Sequence, residues 1–297
     1  LSLVTSKAAR RGKALAGIAQ KEETMAIDSP AIDYQELTAR GRQTWSSGDF
    51  NEIARQTMAV AEDLCREVDP HPNEKVLDIA CGSGNLALVA SRRYCEVTGI
   101  DLPQNPINRA RIRAAADGLA IDFQVGDAQQ LPFRDASFDV VTSVFGVMFA
   151  PDQTRAAREL LRVCRPGGRI ALANWMPEAF GHDFFGAHAR HAPPPAGMAS
   201  PLRWGSPAVL EELLGPSLAS MNNAKRSSFA YYRSVPHAVS LFETFFGPTI
   251  RAMSVVGDAG ADALRADLAE VFERYNRADD GTAVVETQYM RTIATRA

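Results

Sequence analysis

Four cysteines in 297 residues are too few and too scattered for a disulfide framework or a zinc site. Cys65, Cys81, Cys95 and Cys164 contain no C-x-x-C pair, so reduced thiols in a cytoplasmic protein are expected, with no metal. A long apolar run is also missing. No stretch approaches the roughly 20 residues that span a bilayer, which excludes a membrane-crossing helix. Neither charge sign prevails, since 32 lysines and arginines face 35 aspartates and glutamates. The net charge of −3 provides no global attraction to nucleic acid or anionic lipid, so neither is expected as a partner. The amino end is basic at Lys7, Arg10, Arg11 and Lys13 but has no apolar core before a small-residue cleavage site, unlike a secretory signal. Residues 1–24 read as a disordered extension, with Met25 a candidate natural start. What remains, 46% hydrophobic and 23% charged, is ordinary globular composition.

Residues 25–72 read as a helical segment. From Tyr34 to Val68, apolar positions such as Ile53, Met58, Ala61, Leu64 and Val68 recur at three- and four-residue spacing, and Asp69-Pro70-His71-Pro72-Asn73 ends the pattern. Strands and helices then alternate through 73–175. Strands are predicted at Lys75–Ala80, Cys95–Ile100, Ala120–Val125, Asp139–Val144 and Arg169–Trp175, with helices at Gly84–Arg93, Ile107–Asp117 and Asp152–Cys164. Short apolar strands between amphipathic helices predict a parallel sheet covered on both faces, with ligands at the strand ends. Residues 176–224, with three consecutive prolines at Pro193–Pro195, read as an insertion or lid carrying a helix at Pro207–Leu214. Residues 225–297 are expected to complete the sheet with strands at Ser227–Arg233 and Val284–Ile293. Helices are expected there near Val235–Phe246 and Ala261–Asn276.

The chemistry-bearing segment is Val76-Leu77-Asp78-Ile79-Ala80-Cys81-Gly82-Ser83-Gly84-Asn85, a strand ending in a glycine turn that opens a helix. Glycine there lets a ligand approach the backbone. Gly82, Gly84 and Ala87 also satisfy the dinucleotide pattern G-x-G-x-x-G/A. Asp78, four residues before Gly82, argues the other way: a carboxylate at the turn suits an ammonium group and repels a pyrophosphate. Asp101 closes the second strand, where a carboxylate accepts from ribose hydroxyls. The third strand runs into Val125-Gly126-Asp127-Ala128, where an acid suits an exocyclic adenine amine.

These strings resemble the class I S-adenosylmethionine-dependent methyltransferases, particularly the ubiquinone/menaquinone methyltransferase-like small-molecule group. The resemblance continues through Phe138-Asp139-Val140-Val141 and Phe145-Gly146-Val147-Met148-Phe149-Ala150-Pro151-Asp152. It ends at Glu159-Leu160-Leu161-Arg162-Val163-Cys164-Arg165-Pro166-Gly167-Gly168 and covers about residues 45–175. It implies an α/β, Rossmann-like doubly wound, mostly parallel seven-stranded sheet with helices on both faces, plus the lid after the fifth strand. It implies S-adenosyl-L-methionine as cofactor and a small-molecule acceptor. Asp78, Ala80, Gly82 and Gly84 would hold the methionine part, Asp101 the ribose, Leu102 the adenine face, and Asp127 with Ala128 the adenine edge. Phe145 would line the floor near the sulfonium, and Trp45 would close the site from above.

Plainer readings stand beside these. Cys81 is a packed small side chain rather than a nucleophile. His182, His188 and His191 fit no metal spacing and read as structural or solvated; with His237 they are the candidate bases, and the sequence selects none. Phe229, Tyr231, Tyr232, Phe242, Phe245 and Phe246 form either an acceptor pocket or simply core. The alternative functions are a nicotinamide-dependent oxidoreductase and a catalytically silent S-adenosylmethionine-binding module. Neither the acceptor nor the oligomeric state is readable.

Overall fold

An interior strand of the sheet, β1 (Lys75–Ile79), is buried from Val76 to Ile79, because it pairs on both edges with parallel strands, β2 (Glu96–Asp101) and β4 (Phe138–Val144). A strand covered on both faces has no side to show to water, so its buried residues are apolar apart from Asp78. The computed structural model describes residues 32–195 and 197–297; the extension expected over 1–24 lies outside them. β3 (Ile121–Val125) continues the parallel sheet beyond β2, and β5 (Cys164–Trp175) beyond β4. β7 (Ala283–Arg296) then pairs antiparallel with β5, and β6 (Leu218–Tyr232) antiparallel with β7. The order is β3-β2-β1-β4-β5-β7-β6, the mostly parallel, seven-stranded, doubly wound sheet that the sequence predicts.

The segment predicted as helical from Tyr34 is broken into α1 (Tyr34–Ser46), α2 (Asn51–Ala54), a 3-10 turn at Arg55–Thr57, and α3 (Met58–Val68). Gly48 makes the break. Its φ of +77° suits glycine, and a Cβ there would lie 2.6 Å from the Phe245 carbonyl oxygen. α3 buries Val60, Ala61, Leu64, Cys65 and Val68, a stripe at helical spacing. α4 (Asn85–Ser91), α5 (Gln104–Ala116) and α6 (Gln153–Val163) occupy crossovers between parallel strands.

Residues 176–224 hold α7 (Phe180–His191), a 3-10 turn at Pro201–Gly205, α8 (Pro207–Leu214) and the start of β6. Their side chains enter two separate cores. Leu202, Trp204, Leu210 and Leu214 join the core of the parallel sheet, while Phe180, Phe184 and Ala187 join a second one. That second core also takes α9 (Val235–Phe245) and α10 (Gly247–Tyr275). α10 starts well before the predicted Ala261 and is interrupted at Gly257, whose φ of 60° and ψ of −172° are not helical. β6 likewise begins nine residues earlier than the predicted Ser227. Its first half, Leu218–Lys225, is a polar edge strand held by β7, with no run of apolar residues to announce it. Among the described residues no helix is long and apolar enough to cross a membrane.

The antiparallel pair is tied to α3 by charge. Arg291 of β7, 6% exposed, reaches Asp63 at 3.1 Å and Glu67 at 2.8 Å, and the Tyr289 hydroxyl donates to Asp63 at 3.0 Å. Removing one partner of a buried pair strands the other's charge, which costs about 3–5 kcal/mol. Glu67 remains to share Arg291, so Asp63→Ala should cost about 2–3 kcal/mol of unfolding free energy in urea titrations. A change below about 0.5 kcal/mol would show that the network is only a surface feature.

Candidate functional site

The sheet reverses direction of winding between β1 and β4, and such a reversal opens a crevice at the carboxyl ends of the strands. The turn after β1 sits there. Ala80, Gly82 and Gly84 all have positive φ, at 50°, 55° and 83°. Such a backbone needs holding, and two carboxylates hold it. Asp78 is buried and accepts from the Ala87 N–H at 3.1 Å and the Thr142 hydroxyl at 3.4 Å. Burial pushes its carboxyl up to about 7 against the pull of those two donors. Asp101, at the end of β2, accepts from the Gly82 N–H at 2.6 Å. Burial pushes it up to about 6, with the N–H groups of Gly82 and Leu102 pulling the other way.

A cavity of about 210 Å³ opens beyond this turn. Ala80, Gly82, Asp101, Leu102, Asp127 and Ala128 line it from three successive strand ends, and Phe145 and Trp45 line it further along. Asp78 and Gly84 do not. Both lie behind the turn. The Asp78 carboxylate is turned toward the start of α4, and a Cβ on Gly84 would lie 2.9 Å from the Phe123 ring. Gly82 is the opposite case. An added Cβ there meets only the Phe50 ring at 4.0 Å, so any side chain would project into the cavity.

The roof is fixed by Gln129, which belongs to no motif. Gln129, 4% exposed, donates through its side-chain amide to the Asp127 carboxylate at 3.0 Å and to the Thr38 hydroxyl of α1 at 2.9 Å. Its amide oxygen accepts from the Asp152 N–H at 2.7 Å. α1 is thereby anchored over the ends of β3 and β4. From the end of α1, Trp45 meets the rings of Phe50, Phe149 and Phe246 edge-on at 5.0–5.7 Å. The only sequence signal for Gln129 is its place two residues after Asp127.

Past Phe145 the cavity changes character. Phe145 has a φ of 57° and stacks on Trp175 with ring centres 3.6 Å apart and planes 3° from parallel. Beyond them the walls are Phe180, Phe184 and Phe185 of α7, Phe242 and Phe246, and the inner faces of β6 and β7. Of the six aromatics proposed for a pocket, Tyr232, Phe242 and Phe246 line it. Phe229 and Tyr231 are 38% and 62% exposed, and Phe245 is half-buried outside the lining. The two-residue period of the strand separates Tyr232 from its neighbour.

Among the described lining residues there is no lysine, arginine or histidine, and the only carboxylates, Asp101 and Asp127, stand at the glycine-turn end. His188 is buried behind Phe184, bonded to the Phe184 carbonyl and the Thr249 hydroxyl at 2.8 Å each, and burial keeps it neutral by lowering its pKa. His191 pairs with Asp267 at 2.8 Å, and His237 Nδ1 accepts from the Arg233 N–H at 3.2 Å. His182 is exposed. None of these histidines reaches the cavity. All four cysteines are buried, and burial raises the Cys81 thiol well above its ordinary range, as a packed side chain requires. Among the described residues no group of three His, Cys, Asp or Glu side chains is placed to hold a metal ion.

A family profile described as a methyltransferase domain matches residues 77–172. The uncharacterized protein Rv1405c of Mycobacterium tuberculosis is 36% identical over 280 residues, 91% of this chain and 99% of that protein. A demethylmenaquinone methyltransferase of Deinococcus radiodurans is 41% identical over 119 residues, 39% of this chain and 48% of that protein. Among solved structures, the YcgJ protein of Bacillus subtilis superposes with a TM-score of 0.56 at 21% identity, covering 80% of this chain and 98% of that one. Phosphoethanolamine N-methyltransferase 2 of Haemonchus contortus, solved with S-adenosylhomocysteine, also gives 0.56, at 14% identity over 90% of this chain and 60% of that one. These two likenesses establish the fold alone. With a methyltransferase profile on the strand-end core and a relative matched over almost its entire length, the chain belongs to the class I S-adenosylmethionine-dependent methyltransferases.

Proposed function

We infer that the protein transfers the methyl group of S-adenosylmethionine to a small-molecule acceptor held in the same cavity. One observation carries this reading: a single cavity runs from the glycine turn and the strand-end acids of β1–β3 to an aromatic chamber between α7, β6 and β7. The residues suit a ligand of net positive charge. Asp101 and Asp127 face the cavity, Asp78 stands behind the turn, and Gly82 leaves open the space that a Cβ would fill. The same acids would repel a pyrophosphate, and no observation favours a nicotinamide-dependent oxidoreductase. In this reading residues 73–175 bind the cofactor. Asp101 accepts from the ribose hydroxyls, Leu102 covers the adenine, and Ala80 and Gly82 present backbone to the methionine part. Phe145 and Trp175 form the floor at the junction of the two halves.

When bound, S-adenosylmethionine would supply a methyl already activated on a sulfonium: the acceptor's lone pair would form the new bond to the methyl carbon as the carbon–sulfur bond breaks and its electron pair stays on a neutral thioether. The chain's own residues align the partners and exclude water, a contribution of roughly 7–11 kcal/mol when geometry is good. α1, pinned through Gln129, and α7, with its three phenylalanines, enclose the reacting space.

Asp101→Ala should weaken S-adenosylhomocysteine binding by about 1.5–3 kcal/mol in calorimetry, the worth of hydrogen bonds to a charged group. Unchanged affinity in a folded variant would remove Asp101 from the site. Only the ionised carboxylate accepts from two hydroxyls, and burial keeps Asp101 protonated until about pH 6. The wild-type affinity should therefore fall as pH drops below 6, by about tenfold for the next pH unit, and stay flat above 7. Asp101→Asn should remove that dependence; an equal slope in the variant would assign it to another group. Gly82→Val should abolish measurable binding while circular dichroism stays native, and tight binding by this variant would place the ligand elsewhere. Radiolabelled methyl transfer to any metabolite separates the enzyme from a silent binding module.

A further inference from the structure

The chamber beyond Phe145 has its own chemical character. Its wall is built by strand periodicity. Ser228, Ala230 and Tyr232 alternate along β6, and Val285 and Thr287 along β7, so that one face of the antiparallel pair looks inward. Most polar groups on this wall are already satisfied. The Thr287 hydroxyl donates to the Ser228 carbonyl at 3.3 Å. The Gln56 amide spans the free edge of β6 as a neighbouring strand would. It donates to the Tyr231 carbonyl at 2.7 Å and accepts from the Tyr231 N–H at 3.1 Å. That side-chain rung fixes the backbone next to Tyr232.

Tyr232 is the exception. Its residue is only 9% exposed, its ring packs against Phe242 and Phe272, and its hydroxyl has no hydrogen-bond partner among the described residues. That oxygen is not sealed off from solvent, and with no protein partner it is left for water or a ligand group in the cavity to pair. Burial pushes this phenol above its usual range, so it stays protonated at neutral pH and offers a hydrogen bond rather than a base. The half-buried Ser228 hydroxyl is the other polar group left on this wall. Among the described residues no charged side chain faces the chamber, so a phosphate, carboxylate or sulfate on the acceptor would be desolvated without a counter-ion.

Resting on the methyltransferase reading above, we propose that Tyr232 is the acceptor-orienting residue of this cavity and that the acceptor is an uncharged, largely apolar, ring-bearing molecule whose hydroxyl or carbonyl oxygen bonds to it. The stacked Phe145–Trp175 pair supplies a flat apolar surface at the junction with the cofactor half. With no histidine or carboxylate in the chamber, the acceptor has to be acidic or nucleophilic enough to react without a strong protein base.

The test uses the full chain saturated with S-adenosylhomocysteine and three probes of one shape: 1-naphthol, naphthalene and 1-naphthoate, measured by equilibrium dialysis. The wild type should bind 1-naphthol roughly tenfold more tightly than naphthalene, the worth of one good hydrogen bond. It should discriminate against 1-naphthoate by at least as much. Tyr232→Phe removes an oxygen that bonds to no protein group, so the variant should fold with an equal or higher melting temperature. It should bind 1-naphthol no better than naphthalene, with affinity for S-adenosylhomocysteine unchanged. A retained naphthol preference in the variant, equal or tighter binding of 1-naphthoate by the wild type, or no binding of 1-naphthol overturns the proposal. Failure of S-adenosylhomocysteine to bind the wild type, read separately by calorimetry, defeats the cofactor reading instead.

Discussion

Two buried carboxylates, one gripping the turn after β1 and one the helix that follows it, hold the rest of the site in place. The turn carries three residues in a conformation that side chains normally resist; Asp101 grips it through the Gly82 N–H, and Asp78 holds the first turn of α4 through the Ala87 N–H. Because the grip is buried, each carboxyl is pushed upward, and the negative charge of Asp101 pushes Asp78 further. Burial thus disfavours the charged form of both groups, and a cation placed beside them would favour it again.

The two halves of the cavity come from two kinds of sheet. The parallel strands end together at one edge and present turns, backbone N–H groups and acids, the chemistry of a soluble, charged ligand. The antiparallel extension presents a side-chain face instead, and a face holds whatever the residues at alternate positions make of it. In β6 and β7 those positions are small or apolar apart from a few hydroxyls, and α7 closes the opposite side with phenylalanines. Phe145 and Trp175, at the ends of β4 and β5, lie where one kind of sheet gives way to the other.

Segments distant in sequence support both halves. Arg291 and Tyr289 bind the extension to α3, Gln56 seals the open edge of β6, and Gln129 pins α1 over Asp127. Each is a polar side chain whose partners lie far along the chain or on a backbone amide. Their effect is to fix the spacing between the strand-end wall and the aromatic wall of the cavity.

The order of the parallel strands, the glycine turn and the strand-end acids were legible in the residues, because buried parallel strands are apolar throughout and their ligand-facing ends fall at fixed places. Asp101, Leu102, Asp127 and Ala128 followed from that register. Other features were not legible, for identifiable reasons. The first half of β6 is polar because an edge strand need not bury its side chains, so only its pairing with β7 reveals it. The distance of Asp78 from Gly82 is fixed by sequence, whereas the direction of its carboxylate is fixed by the Ala87 N–H of α4 and the Thr142 hydroxyl. The aromatics after residue 228 carried two readings until the strand's alternation turned Tyr231 outward and Tyr232 inward. The sequence by itself determined the strand-end side of the cavity, where local backbone geometry dictates which groups face it. Only the tertiary structure decided the aromatic side, because a wall assembled from distant segments has no local pattern to read.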